Sequence, residues 1–183
     1  MIAARLALLL LLVAVSAGAQ EGVFLDDAEA PAAVFPDADR FERREVPATA
    51  ELRAAMAARL DGVTPSLWEE RYVVVRAFHG ERLLGQALFV DEIGKHRPIS
   101  FVVGLRPDGR VEDVAVTAYR EAYGSEVRSA RFLAQYQGKR PTDPLRTSED
   151  VQNIAGATLS VDAASRAVRK AQALAATLAE RAQ

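Results

Sequence analysis

The chain has no cysteine among its 183 residues. That absence excludes disulfides, thiolate metal sites, ordinary iron–sulfur clusters and Cys-x-x-Cys-His haem attachment. Histidine is almost as scarce, and His79 and His96 are too few and too far apart in sequence to suggest a zinc site. If this protein moves electrons, an organic cofactor must carry them. Basic charge is not in excess either, with 23 Lys and Arg against 25 Asp and Glu. A nucleic-acid partner, which normally needs a basic face, is therefore not expected. The single tryptophan, Trp68, reads as a packing residue rather than a stacking platform.

Long apolar runs are also missing, with one exception. Leu6 to Val15 is an uninterrupted apolar stretch behind Arg5, and Ala17-Gly18-Ala19 supplies small residues for a cut before Gln20. This pattern predicts a signal peptide over residues 1–19. Such a run is well short of the ~20 residues that span a bilayer. Export carries an expectation of location: periplasmic, free or peripheral to the membrane. The leader holds one Arg and no acid, so 22 of the 23 basic residues face all 25 acidic ones, a formal mature charge of −3. The remainder is long enough for one domain with a proper core.

Catalytic signatures are absent too. There is no Gly-x-Ser-x-Gly elbow, no phosphate-cradling Gly loop, and no nucleophile near either histidine in sequence. The residues read as a binder or carrier more readily than as an enzyme.

The remaining sequence has clear periodicity. Residues 20–47, with Pro31, Pro36 and Pro47, read as an extended N-terminal arm with a short helical turn near Asp26 to Ala33. Residues 48–183 read as the domain proper. Thr49 is a good N-cap for a helix to about Leu60, with Leu52, Met56 and Leu60 on one stripe and Gly62 as the stop. Four strand-like runs follow: Arg71 to Phe78, Leu83 to Asp91, Ile99 to Leu105 and Val111 to Tyr119. Their short connections favour antiparallel hairpins. A helical stretch over Glu126 to Tyr136 ends at Gly138. A last helix from about Val161 to Arg181 places Ala164, Val168, Ala171, Ala175 and Leu178 on its buried face, with Arg166, Arg169, Lys170 and Glu180 mostly elsewhere. The expected class is α+β, an antiparallel sheet of four or more strands packed against helices that include a long C-terminal one.

Three segments invite a chemical reading. Gly156-Ala157-Thr158-Leu159-Ser160 combines flexibility, small size and a hydroxyl at a helix entrance, where free N–H groups and the dipole favour a phosphate. The plain alternative is that Thr158 or Ser160 caps the helix. Gly94-Lys95-His96-Arg97-Pro98 gathers basic and titratable side chains that would suit a phosphate or the negative charge of a reduced ring. The alternative is a solvated hairpin end blunting a sheet edge. Tyr119-Arg120-Glu121-Ala122-Tyr123-Gly124 leaves a strand with two aromatics that frame a flat ring or, for Tyr119, join the core.

Together, and in order, these segments resemble the FMN-binding domain family, similar to the covalently flavinylated subunits of sodium-pumping NADH:quinone oxidoreductases. The resemblance runs from about Phe35-Pro36 to the last helix. It is carried by Gly94-Lys95-His96-x-Pro98-Ile99, Asp108-Gly109-x-Val111, Tyr119-Arg120-Glu121-x-x-Gly124-x-Glu126-Val127, Phe132-Leu133-x-Gln135-Tyr136-x-Gly138-Lys139 and Gly156-Ala157-Thr158-Leu159-Ser160. It implies that a flavin transferase moves FMN from FAD onto the hydroxyl of Thr158 as a phosphoester. It further implies an electron carrier between membrane or periplasmic redox partners. Gly156, Ala157, Leu159, Ser160, Glu121, Tyr123, Lys95 and His96 are the expected surroundings of the cofactor. The family pattern Asp-x-x-Ser/Thr-Gly-Ala-Thr departs here at Gln152 and Ala155, with Asp150 two residues early. A flavin-free periplasmic binding or accessory module of a membrane complex is the alternative reading.

Overall fold

The computed structural model describes residues 22–181. The leader expected over residues 1–19 lies outside the described residues. Six strands form one antiparallel sheet: β1 (Gly22–Val23), β2 (Arg40–Pro47), β3 (Arg71–His79), β4 (Arg82–Ile93), β5 (Pro98–Leu105) and β6 (Val111–Tyr119). Their order across the sheet is β1-β6-β5-β4-β3-β2. The four strands expected from the sequence are its centre. β-Branched and aromatic residues alternate along them, so Ile99, Phe101 and Val103 of β5 enter one core while Val102 enters another.

Four helices complete the fold: α1 (Ala30–Val34), α2 (Ala50–Ala57), α3 (Ala130–Leu133) and α4 (Thr158–Arg181). α4 lies on the larger core, where Val161, Ala164, Val168, Ala171 and Leu174 are fully buried. Ala163, Ala167, Ala173 and Ala175 of the same helix are buried as well. α2 packs beside it through Leu52 and Met56, and the Thr49 side chain accepts the Leu52 N–H at 3.2 Å. The domain is α+β, as its pattern predicts.

Several details differ from the sequence expectation. The described part of the expected arm, residues 22–47, is joined to the sheet: β2 pairs with β3 along its whole length, β1 pairs with β6, and α1 covers the sheet's second face. The prolines and charges hid this, because β2 is an edge strand with nearly every side chain exposed and so no period-2 burial to read. The helix expected over Glu126 to Tyr136 is broken. Ser129 has extended backbone (φ −65°, ψ 136°) and caps α3 by accepting the Phe132 N–H at 3.3 Å. Trp68 is 52% exposed rather than packed.

The largest surprise lies under α4. Lys170, expected on the outer face, has no exposed surface. Its Nζ donates to Glu69 Oε2 at 2.9 Å, to Ser66 Oγ at 3.0 Å and to the Asp91 carbonyl, and lies 2.9 Å from Glu92 Oε1. Arg166 then holds Glu92 Oε2 at 3.0 Å and the Ile93 carbonyl at 2.7 Å. This network fixes α4 against the end of β4, directly before the turn that carries Lys95 and His96.

Candidate functional site

Three chain segments meet at one end of the sheet. The β4–β5 turn brings Lys95 and His96, the exit from β6 brings Glu121 to Tyr123, and the start of α4 brings Gly156 to Ser160. With Ala122 these residues line one cleft of about 360 Å³. All nine residues singled out in the sequence stand around it. Adjacency follows from register, since Ile93 pairs with Pro98 and Ile99 pairs with Tyr119, which puts the turn and the strand exit side by side. β4 and β5 are interior strands, so the turn does not blunt a sheet edge.

Glu121 holds the turn in place. Its Oε1 accepts the Arg97 N–H at 2.9 Å and also the His96 N–H, and the turn closes by Gly94 N–H to the Arg97 carbonyl at 3.0 Å. A Cβ at Gly94 would fall 2.9 Å from that carboxylate oxygen, which is why glycine begins the loop. Burial pushes the Glu121 carboxyl up, but the backbone N–H groups of Arg97, His96 and Lys95 and the charge of His96 outweigh it and hold it below its ordinary value. Glu121 thus spends its charge on the loop backbone and shapes the cleft rather than reaching across it. A depressed carboxyl contributes stability that is present above its unfolded pKa and lost only as pH falls through the lower folded value. Removing this charged acceptor in Glu121→Ala is expected to cost about 2–3 kcal/mol. Denaturant melts at neutral pH check this, and the deficit should shrink only in acid, below the ordinary carboxylate range.

Tyr119 belongs to the core. Its hydroxyl donates to the Tyr123 carbonyl and lies 3.1 Å from Ser160 Oγ. Burial is the main cause that raises its pKa, so the phenol stays a neutral donor. Ser160 is accordingly buried and tied to Tyr119, a strut between β6 and α4 in the wall of the cleft. Tyr123 is 82% exposed and Leu159 50% exposed, an aromatic ring and an aliphatic side chain beside the cleft.

α4 begins at Thr158, about one turn earlier than its hydrophobic pattern implies. Ala157 is the residue before it, and its carbonyl accepts from both the Ser160 and Val161 N–H groups at 2.9 Å. An alanine side chain offers no oxygen for capping, and no other side chain among the described residues caps this first turn. Neither Thr158 nor Ser160 is the cap that the plain reading of the sequence supposed. The Thr158 and Leu159 N–H groups, both in residues that line the cleft, are therefore left without a side-chain cap, with the positive end of a 24-residue helix behind them. Gly156, at φ +82°, turns the chain into the helix and has nothing within 4 Å of a would-be Cβ.

Thr158 is exposed, and its Oγ1 accepts from Asn153 Nδ2 at 2.9 Å. Sequence reasoning did not single out Asn153, since its partner is five residues away across a glycine turn. The companion motifs hold the rest of this segment. Gln135 Oε1 accepts the Gln152 N–H at 2.7 Å, and Tyr136 meets Ser165 of α4 at 3.0 Å. Lys139 pairs with Asp150 Oδ2 at 2.8 Å, while the Arg146 N–H reaches Asp150 Oδ1 at 2.9 Å. Asp150 is thus committed to Lys139 and Arg146 and does not stand in for the acid missing at Gln152.

No group of three or more His, Asp or Glu side chains is placed to hold a metal ion among the described residues. The groups at the cleft suit a phosphate and a flat ring instead: the uncapped Thr158 and Leu159 N–H groups, Lys95 and His96 as donors, and Tyr123 and the Leu159 side chain as apolar surface. No curated protein matches the chain. Residues 94–173, from the first residue of the Glu121-bound turn through most of α4, match the family model described as the FMN-binding domain, a match that supports a flavin-binding, electron-transfer role.

Proposed function

We propose that this protein carries FMN covalently on Thr158 and relays electrons between membrane-bound or periplasmic partners after export. The observation that carries the proposal is the state of Thr158: an exposed hydroxyl on an uncapped helix start, at the mouth of a cleft lined by a turn with Lys95 and His96. Thr158 Oγ1 would attack the FMN phosphorus of FAD; an Oγ–P bond forms and the pyrophosphate P–O bond breaks. AMP leaves with the bonding electron pair, and the threonine proton passes to a base of the transferase. Open N–H groups at the start of α4 favour the phosphate by about 0.3–1 kcal/mol at an exposed site. Tyr123 and Leu159 offer apolar contact to a ring, Lys95 offers positive charge as the ring gains electrons, and His96 offers a ring N–H donor. The isoalloxazine ring itself supplies the redox chemistry.

This reading makes the protein a carrier without catalytic groups of its own, matured by a flavin transferase. No described helix is long and apolar enough to cross a membrane. Secretion rests on the apolar stretch Leu6 to Val15 and the small residues after it. Expression of the full chain beside a flavin transferase, followed by intact-mass measurement, tests the proposal. A gain of FMN minus water with yellow colour is the expected result. An unmodified, colourless protein under the same conditions overturns it and leaves the flavin-free accessory module.

A further inference from the structure

We infer that Asn153 is the positioning residue for flavin attachment, doing in this chain what Gln152 and Ala155 cannot. The inference rests on the proposed attachment at Thr158. Asn153 uses both ends of its amide. Oδ1 accepts the Ile154 N–H at 2.9 Å, which identifies the other atom as Nδ2, and Nδ2 donates to Thr158 Oγ1 at 2.9 Å. A threonine hydroxyl has one proton to give and two lone pairs. Asn153 occupies one lone pair and thereby selects the side-chain rotamer of Thr158. The other lone pair and the proton are left for the open side of the cleft, where the attacked phosphorus and the accepting base must come from.

The same contact acts on the chemistry. A donor fixed on Oγ1 stabilises negative charge as the proton leaves, and it does so before the reaction, without reorganisation. The rest of the loop supports this placement. Ile154 accepts the Ala157 N–H at 2.9 Å, Gln135 anchors Gln152, and Gly156 takes the positive φ that brings residue 153 back against residue 158. Ala155 is exposed and has no hydroxyl. Asp150, the nearest acid before the motif, is bound to Lys139. Asn153 is the side chain the structure shows hydrogen-bonded to the acceptor oxygen.

Asn153→Asp separates this role from a structural one. An aspartate keeps the oxygen that accepts the Ile154 N–H but has no N–H for Thr158. Purified flavin-free full-length protein, as wild type, Asn153→Asp and Asn153→Ala, is treated with FAD and a flavin transferase, and the rate of mass gain is followed. Both variants should slow by at least about fivefold, the size of one lost neutral hydrogen bond, with melting temperatures near wild type. Attachment to Asn153→Asp at the wild-type rate overturns the inference. A second readout needs no flavin: the side-chain amide resonances of Asn153 should shift in Thr158→Val, and unchanged resonances would equally overturn it. A wild-type chain that gains no mass defeats the attachment reading itself, an outcome distinct from a flavinylated wild type with unaffected variants.

Discussion

Lys170→Met is expected to destabilise the domain by about 3–5 kcal/mol, the usual result of removing one partner from a buried ion network. Met keeps most of the stem volume, so packing is not the cause. What is lost is the charge that compensates Glu69 and Glu92, both buried, together with donors to Ser66 Oγ and the Asp91 carbonyl. Arg166 still holds Glu92, so Glu69 bears most of the damage. For a domain of this size the melting temperature should fall on the order of 10 °C. The pH dependence has a definite sign. Burial already raises the Glu69 carboxyl above its ordinary pKa, with Lys170 the main opposing influence. A carboxyl whose folded pKa exceeds its unfolded one stabilises the fold at low pH, and that contribution is lost as pH rises through the folded value. The deficit of Lys170→Met should therefore be smaller near pH 5 than at pH 8. Thermal melts followed by circular dichroism at the two pH values decide this. A loss below about 1 kcal/mol would mean that the network is not the anchor described here.

Thr158→Ala is expected to abolish the flavin adduct completely, not merely to reduce it. No neighbouring hydroxyl is placed to take over. Ser160 is buried and bonded to Tyr119, and Thr147 donates to Asp162 Oδ1 at 2.5 Å in a part-buried contact. The substitution should leave stability within about 0.5 kcal/mol of wild type, because Thr158 is exposed and is not the helix cap. Loss of adduct with an unchanged melt separates an attachment point from a folding residue. A residual adduct on the variant would place the phosphoester elsewhere.

The central strands and the long helix were legible because their side chains alternate or recur with the period of the element. Tyr72 and Val74, or Ala164, Val168 and Ala171, announce burial directly. The cleft residues were legible for a different reason: three motifs in order resemble one family, and the sheet register then brings them together. What remained hidden depends on contacts between residues far apart in the chain. Lys170 looks like an outer-face lysine until Glu69 and Glu92, 101 and 78 positions away, meet it in the core. Glu121 looks like a cofactor ligand, but the N–H groups of His96 and Arg97 claim its oxygen. β2 has no alternation to read, because an edge strand with both faces charged is specified by its pairing with β3. Asn153 carries no signal of its own, since its importance lies in where Gly156 turns the chain.

The central claim is that Thr158 is the attachment point, and peptide fragmentation tests it most directly. Protein matured beside a flavin transferase is digested with trypsin, and the peptide from Thr147 to Arg166, which contains Thr147, Ser148, Thr158, Ser160 and Ser165, is sequenced by mass spectrometry. The FMN increment should reside on Thr158 alone. An increment on any of the other four hydroxyl residues, or a peptide of unmodified mass from a yellow protein, would contradict it.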